Sequence, residues 1–137
     1  GNTIQLAKYF RRVICIEIDE GRLKIAKNNA RVYGVQDRIE FILGDFFEVA
    51  PTIKADIVFL APPWGGMSYK ASAHYDLREF DCDRVMKTAM QVSSRISLCI
   101  PYHSFMPQIL QYTHLLPPSH RKCMVESCYR NDLLLMV

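Results

Sequence analysis

Two nearly continuous apolar runs, Val13-Ile14-Cys15-Ile16 and Asp56-Ile57-Val58-Phe59-Leu60-Ala61, constrain this sequence more than any other feature. Runs of that kind belong to parallel strands covered by helices on both faces. Arg38–Leu43 and Arg95–Ile100 are two further predicted strands. Between them the period changes to that of a helix. From Asp19 to Tyr33, Leu23, Ala26, Ala30 and Tyr33 fall on one face, Arg22, Lys24, Lys27 and Arg31 fall elsewhere, and Gly34 supplies the stop. A second helix is predicted over Asp83–Ser94, with Val85, Met86, Ala89 and Met90 inward, and a third over Ser104–Tyr112, burying Phe105, Ile109 and Tyr112. Pro101 and Pro117-Pro118 punctuate the tail. Lys122–Tyr129 and Leu133–Val137, joined by Arg130-Asn131-Asp132, read as an antiparallel hairpin. The class is α/β: a mostly parallel sheet flanked by helices, with an antiparallel hairpin at the C-terminus.

The length of 137 residues, half of them hydrophobic, suits one domain over 1–137 with a real core. A net charge of +3 with both signs interleaved neither requires nor excludes a nucleic-acid partner, so any such partner has to be argued from a site. Cys15, Cys82, Cys99, Cys123 and Cys128 form no CxxC pair, and three of them sit in apolar runs, which points to a reduced intracellular compartment. No apolar run approaches the roughly 20 residues that span a bilayer, and no leader pattern opens the sequence, so no membrane partner is expected. The opening Gly1-Asn2, in place of Met, reads as a trimmed beginning. His74, His114 and His120 have no ligand spacing with the cysteines, and no metal is expected. The longest irregular segment, Gly65–Cys82, is long enough to suggest a functional loop.

Three constellations carry chemistry. Glu17 ends the first apolar run sixteen residues after Gly1, near the spacing at which nucleotide folds set a carboxylate on ribose hydroxyls; the bland alternative is that Glu17 or Asp19 caps the next helix, and Asp19 is the better cap. Gly44-Asp45-Phe46 ends the second strand, where an acid can accept from the exocyclic amine of adenine and Phe46 can wall the ring; its alternative is a Gly-Asp turn that starts a short helix. Ala61-Pro62-Pro63-Trp64-Gly65-Gly66 follows a buried strand directly. Its prolines restrict the backbone, its glycines permit close approach, and between them stands the only tryptophan, which is either a stacking platform or a core anchor under the long loop.

Gly1–Gln5, Ile16–Asp19, Asn28-Asn29-Ala30, Val32-Tyr33-Gly34, Gly44-Asp45-Phe46 and Pro62-Pro63-Trp64-Gly65-Gly66 together resemble the trimethylguanosine synthase family, densely from Gly1 to about Tyr69 and thinly afterwards. The resemblance implies a Rossmann-like class I methyltransferase that uses S-adenosylmethionine to methylate the exocyclic N2 of a 7-methylguanosine cap on small nuclear and nucleolar RNA. It further implies a monomeric nuclear enzyme, present also in the cytoplasm. By position, Gly1, Asn2 and Thr3 would lie beside the methionine end of the cofactor, Glu17 and Ile18 at the ribose, and Asp45 and Phe46 at the adenine. Ala61 and Pro62 would accept the amine hydrogens through their carbonyls, and Pro63, Trp64 and Gly65, with Tyr102 and His103, would hold the cap.

Ala61 stands where the family usually carries a hydroxyl residue, and Tyr102-His103 follow Pro101 where it carries arginine, which leaves His103, Arg78 or Lys70 for the cap phosphates. The strand that precedes the glycine-rich loop in the family, with its acid, is expected to be missing, leaving an open sheet edge and weak cofactor binding. Two other readings stay open: an amine methyltransferase acting on a nucleic-acid base or a protein glutamine, and a methyltransferase-like domain that binds a cap or a partner without turnover.

Overall fold

The first apolar run becomes strand β1 (Val13–Glu17), which pairs in parallel with β2 (Ile39–Leu43), Val13 opposite Ile39 and Glu17 opposite Leu43. The computed structural model describes residues 1–65, 74–101, 103–113, 127–130 and 133–136, which divide into two compact units, Gly1–Thr52 and Ile53–Val137.

In the first unit, helix α1 (Asn2–Tyr9) precedes β1, and α2 (Glu20–Val32) makes the crossover to β2. With a side-chain period of two, the parallel register turns Val13, Cys15, Ile39 and Phe41 to one face of the pair. Onto that face pack Ile4 and Ala7 of α1, Ala30 of α2, and Val35. Asp19 caps α2 by accepting from the Arg22 N–H at 2.8 Å. At the other end Gly34, at φ 67°, donates to the Arg31 carbonyl, and Val35 donates to the Ala30 carbonyl, both at 3.0 Å. This pair of bonds is the Schellman closure, for which a residue without Cβ is preferred. A four-residue helix, α3 (Phe46–Val49), follows β2.

In the second unit, β3 (Val58–Leu60) pairs in parallel with β4 (Ile96–Leu98), across helix α4 (Cys82–Val92). Bonds from Val58 N–H to the Arg95 carbonyl at 2.9 Å and from Cys99 N–H to the Leu60 carbonyl at 2.8 Å carry the ladder one residue beyond the strands at each end. Cys82, Val85, Met86, Ala89 and Val92 of α4 are buried, as are Tyr75, Leu77, Ile100 and Tyr112, the last on α5 (Met106–Thr113). A 3₁₀ turn, Leu77–Phe80, leads into α4 through Asp81, whose left-handed backbone (φ 51°) is one that aspartate tolerates better than most side chains. Strands β5 (Ser127–Arg130) and β6 (Leu133–Met136) pair antiparallel, with Arg130 opposite Leu133.

Several expectations need correction. Asn2 and Thr3 form the first turn of α1, an element that the sequence reading did not anticipate because its apolar period is too short to stand out. Tyr33 is exposed: it is the C-cap of α2, past the last inward position, with the Lys8 ammonium 5.4 Å from its ring centroid. Phe105 precedes α5 and is also exposed, so its side chain is not part of that helix's inner stripe. The first apolar run is half-buried along its whole length rather than covered on both faces. Arg130, expected in the hairpin link, belongs to β5 because it still has a partner in β6; Asn131 and Asp132 lie outside the described residues, as do His114, Pro117-Pro118 and His120.

Two consequences can be measured. A Cβ on Gly44 would come within 2.7 Å of Val49 Cγ2, a β-branched side chain with little freedom to retreat. Gly44→Ala is expected to destabilise the fold by about 1–3 kcal/mol in urea unfolding. Burial pushes the Cys82 thiol up to about 11 and the Tyr112 hydroxyl up to about 12, so both groups ionise more readily in the unfolded chain. These two groups therefore leave stability level between neutral pH and about pH 8.5 and make it fall as the pH rises from about 9 toward 12. A urea midpoint that is flat through pH 11 would contradict this burial.

Candidate active site

The neighbouring ends of β1 and β2 each carry an acid, Glu17 and Asp45. Glu17 closes β1 opposite Leu43, and the Gly44 N–H donates to the Glu17 carbonyl at 3.0 Å, so the paired register persists to the residue before Asp45. Glu17 Oε1 accepts from the Asp19 N–H at 3.0 Å, which fixes the carboxylate beside the start of α2, while Asp19 itself serves as the helix cap. Asp19 is thus the cap, as read from the sequence, while Glu17 Oε1 is taken up by the Asp19 N–H and its other acceptor positions remain. Asp45 has a local duty as well: its Oδ1 accepts from the Phe47 N–H at 2.7 Å and caps α3. The turn-forming reading of Gly44-Asp45 is thus realised, and any ligand contact of Asp45 must use what the cap leaves over, since a carboxylate has about four acceptor sites. Phe46 and Phe47 meet edge to face, centroids 5.5 Å apart, next to this acid.

Gly1 is the N-cap residue of α1, and Asn2 is exposed beside it. Thr3 is half-buried, its hydroxyl donating to Cys15 Sγ at 3.5 Å, which ties the first turn of α1 to the middle of β1. Ile18, 68% exposed, follows Glu17 without joining the core.

In the second unit the chain leaves β3 through exposed Ala61, half-buried Pro62 and exposed Pro63. Trp64 is half-buried, and its indole Nε1–H donates to the Cys99 carbonyl at 3.3 Å. Cys99 also donates its N–H to the Leu60 carbonyl, so one residue after β4 grips the proline turn on both sides. Gly65 then takes φ 83°, a conformation that side chains strongly disfavour. Trp64 is therefore a tethered ring at a strand exit and not a fully buried anchor.

His103 is half-buried; its carbonyl accepts from the Tyr75 N–H at 3.0 Å and its ring meets Tyr75 edge-on at 6.3 Å. Arg78, considered above for cap phosphates, is largely exposed and pairs with Asp76. Its Nε lies 2.9 Å from both Asp76 oxygens and its Nη2 contacts the same carboxylate, which also accepts from Gln108 Nε2 at 2.8 Å. The hydrogen bonds from Arg78, then the one from Gln108, hold the Asp76 carboxyl well below the usual carboxylate range. Gly66, Lys70 and Tyr102 lie outside the described residues.

Reading the sequence missed the Cys99 carbonyl, because a backbone acceptor carries no side-chain signal. It also missed the Asp76–Arg78–Gln108 network, in which partners up to 32 positions apart come together.

Comparison with known proteins now gives these elements a context. The chain is 35% identical over 121 residues to trimethylguanosine synthase of Schizosaccharomyces pombe, a match that covers 82% of this chain and 50% of that protein. It is 30% identical over 134 residues to trimethylguanosine synthase of Saccharomyces cerevisiae, covering 91% of this chain and 42% of that one. The chain thus spans half or less of the length of these curated relatives. Among solved structures, precorrin 8w decarboxylase from Methanobacterium thermoautotrophicum aligns over the whole chain and 69% of its own, with a TM-score of 0.61 at 14% identity. That likeness concerns the fold alone, and it agrees with a Rossmann-like α/β arrangement of short parallel sheets and helices. The family described as RNA cap guanine-N2 methyltransferase matches residues 1–136, and the chain belongs to that family.

Proposed function

We propose that this chain is the methyltransferase domain of an enzyme that transfers methyl from S-adenosylmethionine to N2 of the 7-methylguanosine cap of small nuclear and nucleolar RNA, acting as a monomer in the nucleus. The observation that carries the proposal is Trp64, half-exposed and held by its indole N–H at the end of β3. N7 methylation makes guanine cationic, and a cation over an indole gains roughly 0.5 to 2 kcal/mol depending on how dry the site is. An unmethylated guanine lacks that gain. A half-exposed indole whose orientation is set by its polar edge is suited to stacking on a base, and this supports assigning Trp64, with Pro63, Gly65, Tyr102 and His103, to the cap.

The donor set suits the cofactor. Glu17 and Asp45 stand at neighbouring parallel strand ends, where open α/β sheets gather their ligands. In this reading Glu17 and the Ile18 backbone hold the ribose, Asp45 accepts from the adenine amine, and Phe46 walls the ring. Gly1, Asn2 and Thr3 bring the first-turn N–H groups of α1, which have no partner within the helix, to the methionine carboxylate.

S-adenosylmethionine, when bound, supplies a methyl group already activated on a sulfonium. The work left to the protein is positioning and exclusion of water. The carbonyls of Ala61 and Pro62 accept the N2 hydrogens and turn the amine lone pair outward, and Trp64 fixes the purine plane. Ala61 contributes through its backbone only, so no side chain there acts as a base; as the N2–C bond forms and the S–methyl bond breaks to leave a neutral thioether, the proton shed by N2 would pass to solvent.

Two expected outcomes follow. Trp64→Ala should weaken binding of a 7-methylguanosine cap analogue by about 0.5–2 kcal/mol, roughly two- to thirtyfold in fluorescence titration, and abolish the preference over unmethylated cap, while Trp64→Phe keeps part of it. Equal binding of both caps by the unsubstituted protein would refute the stacking role. Glu17→Gln should reduce affinity for S-adenosylmethionine in calorimetry about tenfold without changing cap affinity, as loss of a charge-assisted ribose contact requires.

A further inference from the structure

Helix α2 holds Arg22, Lys24, Lys27 and Arg31 against a single acid, Glu20, a surplus of three that equals the formal net charge of the whole chain. Three of these cations share one face. Lys24, Lys27 and Arg31, with Asn28 and Gln36, line a shallow groove of about 350 Å³ between α2 and the turn that leads into β2. At 1.5 Å rise per residue, the cations extend about 10 Å along the helix axis. None of these residues belongs to the set assigned to cofactor or cap.

The partners of the three cations decide what the groove can take. Arg31 Nη2 donates to Asn28 Oδ1 at 2.8 Å, and the Lys27 ammonium lies 6.0 Å from the Phe41 ring centroid. Both contacts are with uncharged groups, so they orient the cations and leave their charge uncompensated. Lys24 pairs with Glu20 at 2.9 Å, but both side chains are largely exposed, and an exposed pair of this kind is worth at most about 1 kcal/mol, so an incoming anion displaces Glu20 easily. Asp37 Oδ2 accepts from Gln36 Nε2 at 3.5 Å, which puts one further acid next to a lining residue. An elongated, open, cationic groove with amide donors between the charges matches a chain of phosphates better than a compact ligand, which would need enclosure.

We propose that this α2 groove carries the phosphate backbone of the RNA that follows the cap, a contact independent of sequence that adds affinity for capped RNA over free cap. The proposal rests on the cap-methyltransferase reading for the identity of the nucleic acid, and its test separates the two. Binding of a fluorescent, 7-methylguanosine-capped single-stranded RNA of about 20 nucleotides is measured by anisotropy between about 50 and 200 mM salt, beside binding of the cap dinucleotide. The variant K24Q/K27Q/R31Q changes only exposed side chains. It should bind the RNA about tenfold more weakly at low salt and should bind the dinucleotide as before. Its log–log salt slope should be shallower by about two, since each phosphate that is no longer neutralised removes about 0.7 on a single strand.

The control R11Q/K87Q/R95Q removes the same charge outside the groove and should leave the salt slope within one unit of the unsubstituted protein. Unchanged RNA affinity and slope in the groove variant would overturn the proposal, as would an equal loss in the control, a parallel loss of dinucleotide binding, or no RNA binding by the unsubstituted protein. Failure of the cap reading looks different: the unsubstituted protein would then bind methylated and unmethylated caps alike while the groove variant still showed the shallower RNA slope.

Discussion

One backbone hydrogen bond, from the Gly44 N–H to the Glu17 carbonyl, carries the pairing from the last residue of β1 past the end of β2, and the acids depend on it. Parallel pairing fixes register through the side chains it buries: Val13, Cys15, Ile39 and Phe41 must face α1 and α2 together. A slip by one residue would turn that set outward and carry Glu17 away from the turn at Asp45. The cluster that holds the first unit together is therefore also what sets the spacing of two carboxylates more than 25 positions apart in sequence. Gly44 is part of the same arrangement, because α3 folds back so closely that Val49 occupies the space a side chain would need.

The same logic recurs at Trp64. The ladder of β3 and β4 ends with the Cys99 N–H on the Leu60 carbonyl, and the Cys99 carbonyl then receives the indole. A hydrogen bond of this kind contributes only about 1 kcal/mol to stability. Its larger effect is orientation: the one polar atom of the ring is satisfied by the backbone at the end of β4, which sets how the indole is held. Gly65 follows in a left-handed conformation that side chains strongly disfavour.

The sequence made legible whatever is written in side-chain period and punctuation. The apolar runs at Val13 and Val58 and the intervening periods of α2 and α4 appear where expected, and Asp19 and Gly34 bound α2 as read. β3 and β4 are shorter than the runs that announced them, since their pairing stops where Ile57 is already 41% exposed. Helix α1 escaped notice because only Ile4 and Ala7 point inward from it. The role of Cys99, a backbone group, and the pairing of Arg78 with Asp76 depend on contacts that no local pattern encodes. Of the site, the acids and the tryptophan were readable as residue types at strand ends, while the helix-capping duty of Asp45 became evident only with the N–H of Phe47 in place.

The most direct test of cap methylation is transfer itself. The protein is incubated with a donor carrying a labelled methyl group and, in parallel, with 7-methylguanosine-capped RNA, the same RNA with an unmethylated cap, and an adenine-containing duplex, and the labelled nucleoside is then identified. Label on N2 of the 7-methylguanosine alone is the predicted result; label on the duplex or on the unmethylated cap, or cap binding with no transfer, would contradict it.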